Sequence, residues 1–315
     1  MLRCIPFRNL FERTFTVIFK RFSKEWSLHL LLVPGVLFAI VFSYIPMTGI
    51  LIAFERFIPT RGIFGSPWVG WDNFRFMFAN PDIKRILMNT VYIASMKIVG
   101  GLLVPITIAI LLNEVRKEVF KRTVQTLVYL PHFLSWVLLG GILIDLLSPS
   151  TGMVNQLIAW LGFEPIFFLG SNTWFPITIV ISDIWKEFGF STIVYLAALT
   201  GINPSLYEAA VMDGANRWKQ TWHITLPGMM PIIVLMMTLS IGNILNAGFE
   251  QIFNLYSAPV YESGDIIDTF VYRMGFEQVQ YGLATAVGLL KSVISFILIS
   301  LSYMMAYRFA GYRIF

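Results

Sequence analysis

The chain has 315 residues, of which 57% are hydrophobic, 16% aromatic and only 13% charged, with a mean hydropathy of +0.71. An ordinary soluble domain carries about 25% charged residues, so this composition excludes one and points to a single transmembrane domain with several spans. The lone cysteine, Cys4, excludes an internal disulfide and a cysteine-built metal site. The net charge of +5 is scattered at the ends of apolar segments, a pattern set by membrane topology and not by nucleic-acid binding.

In chain order, residues 1–27 form a basic segment with six Lys and Arg residues. The six-span domain follows over residues 28–315, with apolar segments at 28–50, 88–112, 124–147, 174–199, 229–247 and 283–307. Each is close to the roughly 20 helical residues that cross a hydrocarbon core of about 30 Å. The first is followed by a long polar stretch with no small-residue cleavage site, so it is expected to be retained as an anchor. The connection IPTRGIFGSPWVGW, rich in Gly, Pro and Trp, reads as a structured interfacial loop.

Counting Lys and Arg in the connections gives 14 on the side of both termini and six on the other. The positive-inside rule then places both termini, and the connection after the fourth span, in the cytoplasm. That connection opens on Asn203-Pro204, an N-cap followed by a proline suited to the first helical position. A short helix over residues 204–212 is expected, then a turn at Gly214, a second short helix over 215–223, and Leu226-Pro227 opening the fifth span. A helix of this length is marginal in water and must pack on something. Read physically, the loop over residues 204–227 is an amphipathic elbow at the membrane surface.

Ionisable groups within spans are costly and are functional candidates by default. Asp183, Lys186, Glu187 and Phe190 fall at i, i+3, i+4 and i+7 of the fourth span, on one helical face. Asn243, Asn246 and Glu250 recur at i, i+3 and i+7 of the fifth, and His132 and Trp136 follow Pro131 at i and i+4 in the third. Such faces can line a common polar cavity. They can equally be structural: Lys186 pairing with Asp183 or Glu187, the two Asn residues bonding between helices, and Lys97 and Lys291 snorkelling or pairing. The acidic residues of the last outer loop, Glu250, Glu262, Asp265, Asp268 and Glu277, read as a solvated surface and not as a metal site.

The stretch from Glu208 to Pro227 adds specificity. Glu208-Ala209-Ala210, then Gly214, Ile224 and Leu226-Pro227, follow the pattern EAA-x3-G-x9-I-x-LP, seven identities over 20 positions. The pattern resembles the EAA loop of binding-protein-dependent ABC importer permeases. KRTVQTLVYLPHFLSW, WKEFGFSTIVYLAALTGINPSLYEAAVMDGA and GSPWVGWDNFRFMF are similar to the oligosaccharide and polysaccharide permeases of the carbohydrate-uptake group, the LplB-like branch.

The resemblance implies an all-α type I ABC importer (MetI-like) permease fold in a bacterial cell membrane. It also implies a coupling helix that docks into a cleft of a separate ATPase. Glu208 would face basic residues of that ATPase, Gly214 would make the turn, and Asp213 and Ala215 would sit at the docking tip. By the same resemblance, the sugar contacts of the maltose-type permease fall on Asp183, Lys186, Glu187 and Phe190. Amides and carboxylates there suit hydroxyls, and aromatic planes suit sugar faces. The implied partners are an ABC ATPase dimer that uses ATP and Mg, a second permease subunit of different sequence, an extracytoplasmic solute-binding protein and a saccharide.

No cofactor is expected on this chain, which lacks the phosphate loop G-x-x-x-x-G-K-[ST]. Neither G-x-S-x-G nor H-E-x-x-H is present, and His132 has no nucleophile motif near it, which weighs against an intramembrane hydrolase. The alternative is a secondary transporter working without ATP, in which the membrane carboxylates couple to an ion and the EAA pattern has no role.

Overall fold

The computed structural model describes residues 26–310. Cys4, Arg313 and nearly all of the basic segment 1–27 lie outside the described residues. Among the described residues the structure is helical, with one isolated antiparallel bridge between Glu55 and Trp68.

Helix α1 (Trp26–Phe54) is the first apolar span, 29 residues with a hydropathy of 2.3. It tightens along its length, from α-helix through a π-helical turn at Ile40–Tyr44 to a 3-10 helix at Ile45–Phe54, which Pro46 helps to start by withdrawing a backbone donor. Its residues from Trp26 to Ile52 include none that is buried, and only Ala53 enters the core. The connection after it is structured. Phe54 stacks on Trp68 at 5.6 Å and meets Trp71 edge-on at 5.3 Å, while Asn73 Nδ2 donates to the carbonyls of Ala53 and Glu55 at 2.9 and 3.0 Å.

Helices α2 (Asp72–Ala79) and α3 (Pro81–Glu114) meet at Asn80, whose side chain caps α3 by accepting from the Asp82 amide at 2.9 Å. The third apolar segment is not one straight span. It divides into α4 (Glu118–Tyr129), a 3-10 turn at Leu130–Phe133 and α5 (Trp136–Leu146), with a bend of 101°. The break has two local causes. Leu130-Pro131 closes the 3-10 turn, and Ser135, extended at φ −69° and ψ 152°, restarts a helix by capping the Leu138 amide at 3.3 Å.

After α6 (Met153–Trp160) comes α7 (Trp174–Thr200), 27 residues with Asp183, Lys186 and Glu187 near its middle. Helix α8 (Pro204–Met212) leads to α9 (Arg217–Gly242), then α10 (Phe249–Leu255), α11 (Ile267–Tyr272) and α12 (Tyr281–Ala310). The second short helix expected after Gly214 is not separate. A π-helical turn at Thr221–Thr225 carries the chain from Arg217 into the fifth span without a stop. That span also ends earlier than expected, at Gly242 and not at residue 247.

Three apolar clusters hold the bundle. Ala53, Met77, Ile86, Phe270 and Val287 join α1, α2, α3, α11 and α12 at one end. Ile93, Phe175, Ile179 and Ile252 join α3, α7 and α10 in the middle, and Ala109, Tyr195, Leu199 and Met229 join α3, α7 and α9 near α8. Helix α7 also packs against the end of α4 so closely that a Cβ on Gly189 would lie 1.9 Å from the Val128 carbonyl oxygen. A backbone atom cannot yield as a side-chain tip can. Gly189→Ala is therefore expected to lower stability by about 1–3 kcal/mol or more, read as a fall in thermal midpoint of the purified protein in detergent.

Candidate functional site

The interior is polar where α3, α7 and the segment between α9 and α10 converge. Lys97 on α3 donates to Asp183 Oδ1 at 3.0 Å, to the Ala247 carbonyl at 2.8 Å and to Gln251 Oε1. Gln251, itself fully buried, passes the network on, its Nε2 donating to the Ile179 carbonyl and to Ser182 Oγ, both at 2.8 Å. Three acceptors use the three donors of the Lys97 ammonium, so a charge in an apolar surround is both paired and fully hydrogen-bonded.

The backbone makes room for this arrangement. Gly248 sits at φ +94°, and a Cβ there would lie 2.8 Å from Lys97 Nζ. The chain thus needs glycine both to turn and to let the lysine approach. Asn243 and Asn246 flank the same turn. They were expected on one helical face with Glu250, but the helix ends at Gly242, Asn243 is its C-cap, and Glu250 belongs to α10. Asn246 Nδ2 donates to Asn243 Oδ1 at 3.2 Å instead.

A cavity of about 340 Å³ opens beside this network, with Lys97, Asp183, Asn243, Asn246 and Gly248 among its lining residues. Of the residues singled out in the sequence, Asp183, Asn243 and Asn246 therefore share one space. Lys97 does pair, one of the two roles expected for it, but neither it nor Gln251 was expected to line the cavity or organise the network. Lys97 had only a pairing or snorkelling role, and Gln251 drew no attention, because their partners lie 86 and 154 residues apart in sequence.

His132, Trp136, Lys186, Glu187 and Phe190 form a second group, at the break between α4 and α5. His132 and Trp136 do not share a helical face as expected, since the extended residues Leu134 and Ser135 intervene. Both nonetheless meet α7. His132 Nδ1 lies 2.7 Å from Glu187 Oε2, and its ring stacks on Phe190 with centroids 4.2 Å apart and planes 6° from parallel. Lys186 donates to Glu187 Oε1 at 2.8 Å and to the His132 carbonyl at 3.0 Å, with its ammonium 5.5 Å from the Trp136 ring centroid. Lys186 thus pairs with Glu187, whereas Asp183 pairs with Lys97. No group of three or more His, Cys, Asp and Glu side chains suited to a metal occurs among the described residues.

The other candidate element is the turn around Gly214. Asn203 caps α8 by accepting from the Ser205 amide at 3.0 Å. Gly214 then turns the chain at φ +74°, with the Ala215 amide donating to the Ala210 carbonyl at 2.8 Å, and Asn216 caps α9 at the Lys219 amide at 2.9 Å. Gln220 Nε2 donates back to the Ala215 carbonyl at 3.0 Å, and Tyr207 lies 3.0 Å from Thr225, so the two helices brace each other. Arg217 pairs with Glu114 at the end of α3 at 3.1 Å. No residue of α8 is buried. Leu206, Val211 and Met212 are exposed, Met212 to 87%, and Glu208 makes no ion pair among the described residues.

A multi-span helical bundle with a polar interior and a braced helical elbow between its fourth and fifth spans is the architecture of a membrane permease. Residues 101–311 match the family of binding-protein-dependent transport system inner membrane components, and the chain belongs to that family.

It is 46% identical over 277 residues to protein LplB of Bacillus subtilis (strain 168), covering 88% of this chain and 87% of that one. It is 43% identical over 298 residues to the polygalacturonan/rhamnogalacturonan transport system permease protein YteP of the same organism, covering 95% and 92%. Among solved structures it is similar to a chain of a bacterial ABC transporter involved in the import of the acidic polysaccharide alginate. The TM-score there is 0.87 at 38% identity, over 93% of this chain and 99% of that chain. A bacterial alginate ABC transporter in complex with an alginate pentasaccharide-bound periplasmic protein matches with a TM-score of 0.85. The fold is accordingly that of an ABC importer permease, as the EAA pattern implied.

Removing one partner of a buried ion pair strands the other charge, at a cost of about 3–5 kcal/mol. Lys97→Ala is therefore expected to lower the thermal midpoint of the purified protein sharply. The double variant Lys97→Ala/Asp183→Asn should recover part of the loss, and a double variant no better than the single one would show that the pair is not what holds the network.

Proposed function

We propose that this chain is one permease subunit of an ATP-driven importer that carries an oligosaccharide or polysaccharide fragment into the cytoplasm. It does no chemistry itself. A separate ATPase dimer, using ATP and Mg, docks at the element over residues 204–227. A second permease subunit completes the passage, and an extracytoplasmic solute-binding protein delivers the saccharide. Both termini and α8 are cytoplasmic in this reading, which the excess of Lys and Arg on that side supports.

One observation carries the coupling part: α8 is a short helix with no buried residue, yet Asn203 caps its start, the Ala215 amide closes its end on the Ala210 carbonyl, and Tyr207 braces it against Thr225. Nine residues cannot hold such a helix by local propensity alone, and exposed Leu206, Val211 and Met212 gain only when something covers them. Docking would place Asp213, Gly214 and Ala215 at the contact tip, with Glu208, Ala209 and Ala210 on the helix behind it. The ATPase would supply cations for Glu208. Because Tyr207 ties α8 to Thr225 on α9, and Gln220 ties α9 to the intervening turn at Ala215, a displacement at the docking site is passed into the fifth span.

The saccharide part rests on the cavity and on the relatives. Asp183, Asn243 and Asn246 offer a carboxylate and two amides to hydroxyl groups, and His132, Trp136, Lys186, Glu187 and Phe190 form a further polar and aromatic patch on and around α7. The permease YteP is named for polygalacturonan and rhamnogalacturonan, and the similar solved structures belong to an alginate importer, so a sugar polymer fragment is the cargo that this interior fits best.

The test is to purify the tagged chain from its native membranes in mild detergent and identify what accompanies it. The wild type is expected to bring a phosphate-loop ATPase and a second permease. The variant Glu208→Ala/Gly214→Pro is expected to keep the second permease and lose the ATPase, since proline cannot adopt φ +74°. An intact wild-type chain that purifies alone would favour the ATP-independent secondary transporter.

A further inference from the structure

A row of aromatic rings leads away from the break after α9, on the side opposite α8. Phe249 follows Gly248, which lines the cavity beside Lys97. Phe249 and Phe253 on α10 stack with centroids 5.2 Å apart, and Tyr272 on α11 lies against both, at 5.8 and 4.7 Å. Phe276 continues the row, stacked on Tyr272 at 5.3 Å, and is 75% exposed. The direction is fixed by packing. Ile252 on α10 meets Phe175 and Ile179, at the end of α7 remote from α8.

These rings are not part of the core. In α10, Gln251, Ile252 and Leu255 are buried, whereas Phe249 and Phe253, at i and i+4, share another face and are half-buried. None of the four rings belongs to the three apolar clusters that hold the bundle. The surface does not suit lipid either. Glu250 follows Phe249 and is exposed, and a carboxylate facing hydrocarbon is costly. Asn254 follows Phe253 and donates to the Glu250 carbonyl at 2.7 Å. Aromatic planes edged by a carboxylate and an amide are the surface of a wet passage.

We infer that Phe249, Phe253, Tyr272 and Phe276 form an aromatic track along which a saccharide chain slides from the outer mouth to the cavity. The inference rests on the reading of the chain as a saccharide permease. It concerns a site outside the cavity, since none of the four rings lines that space. A sugar ring has an apolar C–H face and a rim of hydroxyl groups. The aromatic planes take the face, and Glu250 and Asn254 are placed to take hydroxyls. Successive rings lie 4.7 to 5.8 Å apart, so a sugar leaving one plane is already against the next. Each contact is weak, so no single ring traps the chain on its way in.

The experiment uses the complete importer in proteoliposomes, with its solute-binding protein and labelled pentasaccharides of polygalacturonan and alginate. Phe253→Leu and Tyr272→Leu keep an apolar side chain and remove the flat ring. Each is expected to lower uptake at limiting saccharide about two- to tenfold, the loss for one ring contact. Phe253→Trp and Tyr272→Phe, which keep a plane, should hold the wild-type rate. Uptake by both Leu variants equal to wild type overturns the inference. So does an equal loss in Phe253→Trp and Phe253→Leu, which would make the position a packing contact. Loss of the second permease on co-purification of the Leu variants also overturns it, since the face would then be a contact between subunits. If the wild type takes up neither saccharide with ATP, the saccharide reading itself has failed, and this inference with it.

Discussion

A lysine ammonium in the middle of a membrane helix must find its acceptors within the protein, because hydrocarbon supplies none. Lys97 finds a carboxylate on α7, a backbone carbonyl in the break after α9 and an amide oxygen on α10. Each acceptor comes from a different part of the chain, so the ammonium decides how those parts sit. The break itself depends on it. An unwound stretch at this depth exposes carbonyls that a continuous helix would satisfy, and Lys97 satisfies the one at Ala247. The polar interior is therefore a set of groups that satisfy one another, and the cavity is the space their geometry leaves open.

The bend between α4 and α5 is solved in a related way. The carbonyl of His132 lies past the end of the regular helix, and Lys186 on α7 donates to it. A cation near the last carbonyls of a helix also opposes the negative end of its dipole. Glu187 then balances Lys186 and holds the His132 ring, which stacks on Phe190. Two lysines thus stabilise two interruptions of helical structure, and both act against α7. This accounts for the three ionisable residues near the middle of the fourth span: Asp183 answers Lys97, and Glu187 answers Lys186.

Much of this was legible in the sequence, and the rest was hidden for identifiable reasons. Hydropathy located the helices that cross, although only four are long and apolar enough by themselves and a bent pair makes a fifth, and Gly214 is the expected turn, at φ +74°. The shared face of Asp183, Lys186, Glu187 and Phe190 was visible as helical periodicity, but not its division, since Asp183 turns to α3 and the others to α4 and α5. The end of the fifth span at Gly242 was missed because Asn243 to Ala247 keeps an apolar rhythm. The paired glycines at 242 and 248 were the available signal. The break at residue 134 had Pro131 and the capping serine Ser135 to announce it, and both were overridden by the apolar run on either side. The partners of Lys97 had no local signal at all.

Helix α9 runs from Arg217, beside the turn at Gly214, to Gly242, next to the break that Lys97 secures. Its 26 residues make a rod about 39 Å long. Swung by about 5° about one end, a rod of that length moves its other end by about 3 Å. The bond from Lys97 to the Ala247 carbonyl is 2.8 Å long, so a swing of this size is enough to break it. The number of residues between Arg217 and Gly242 therefore sets how far a tilt at the Gly214 end would be felt at the break that Lys97 secures.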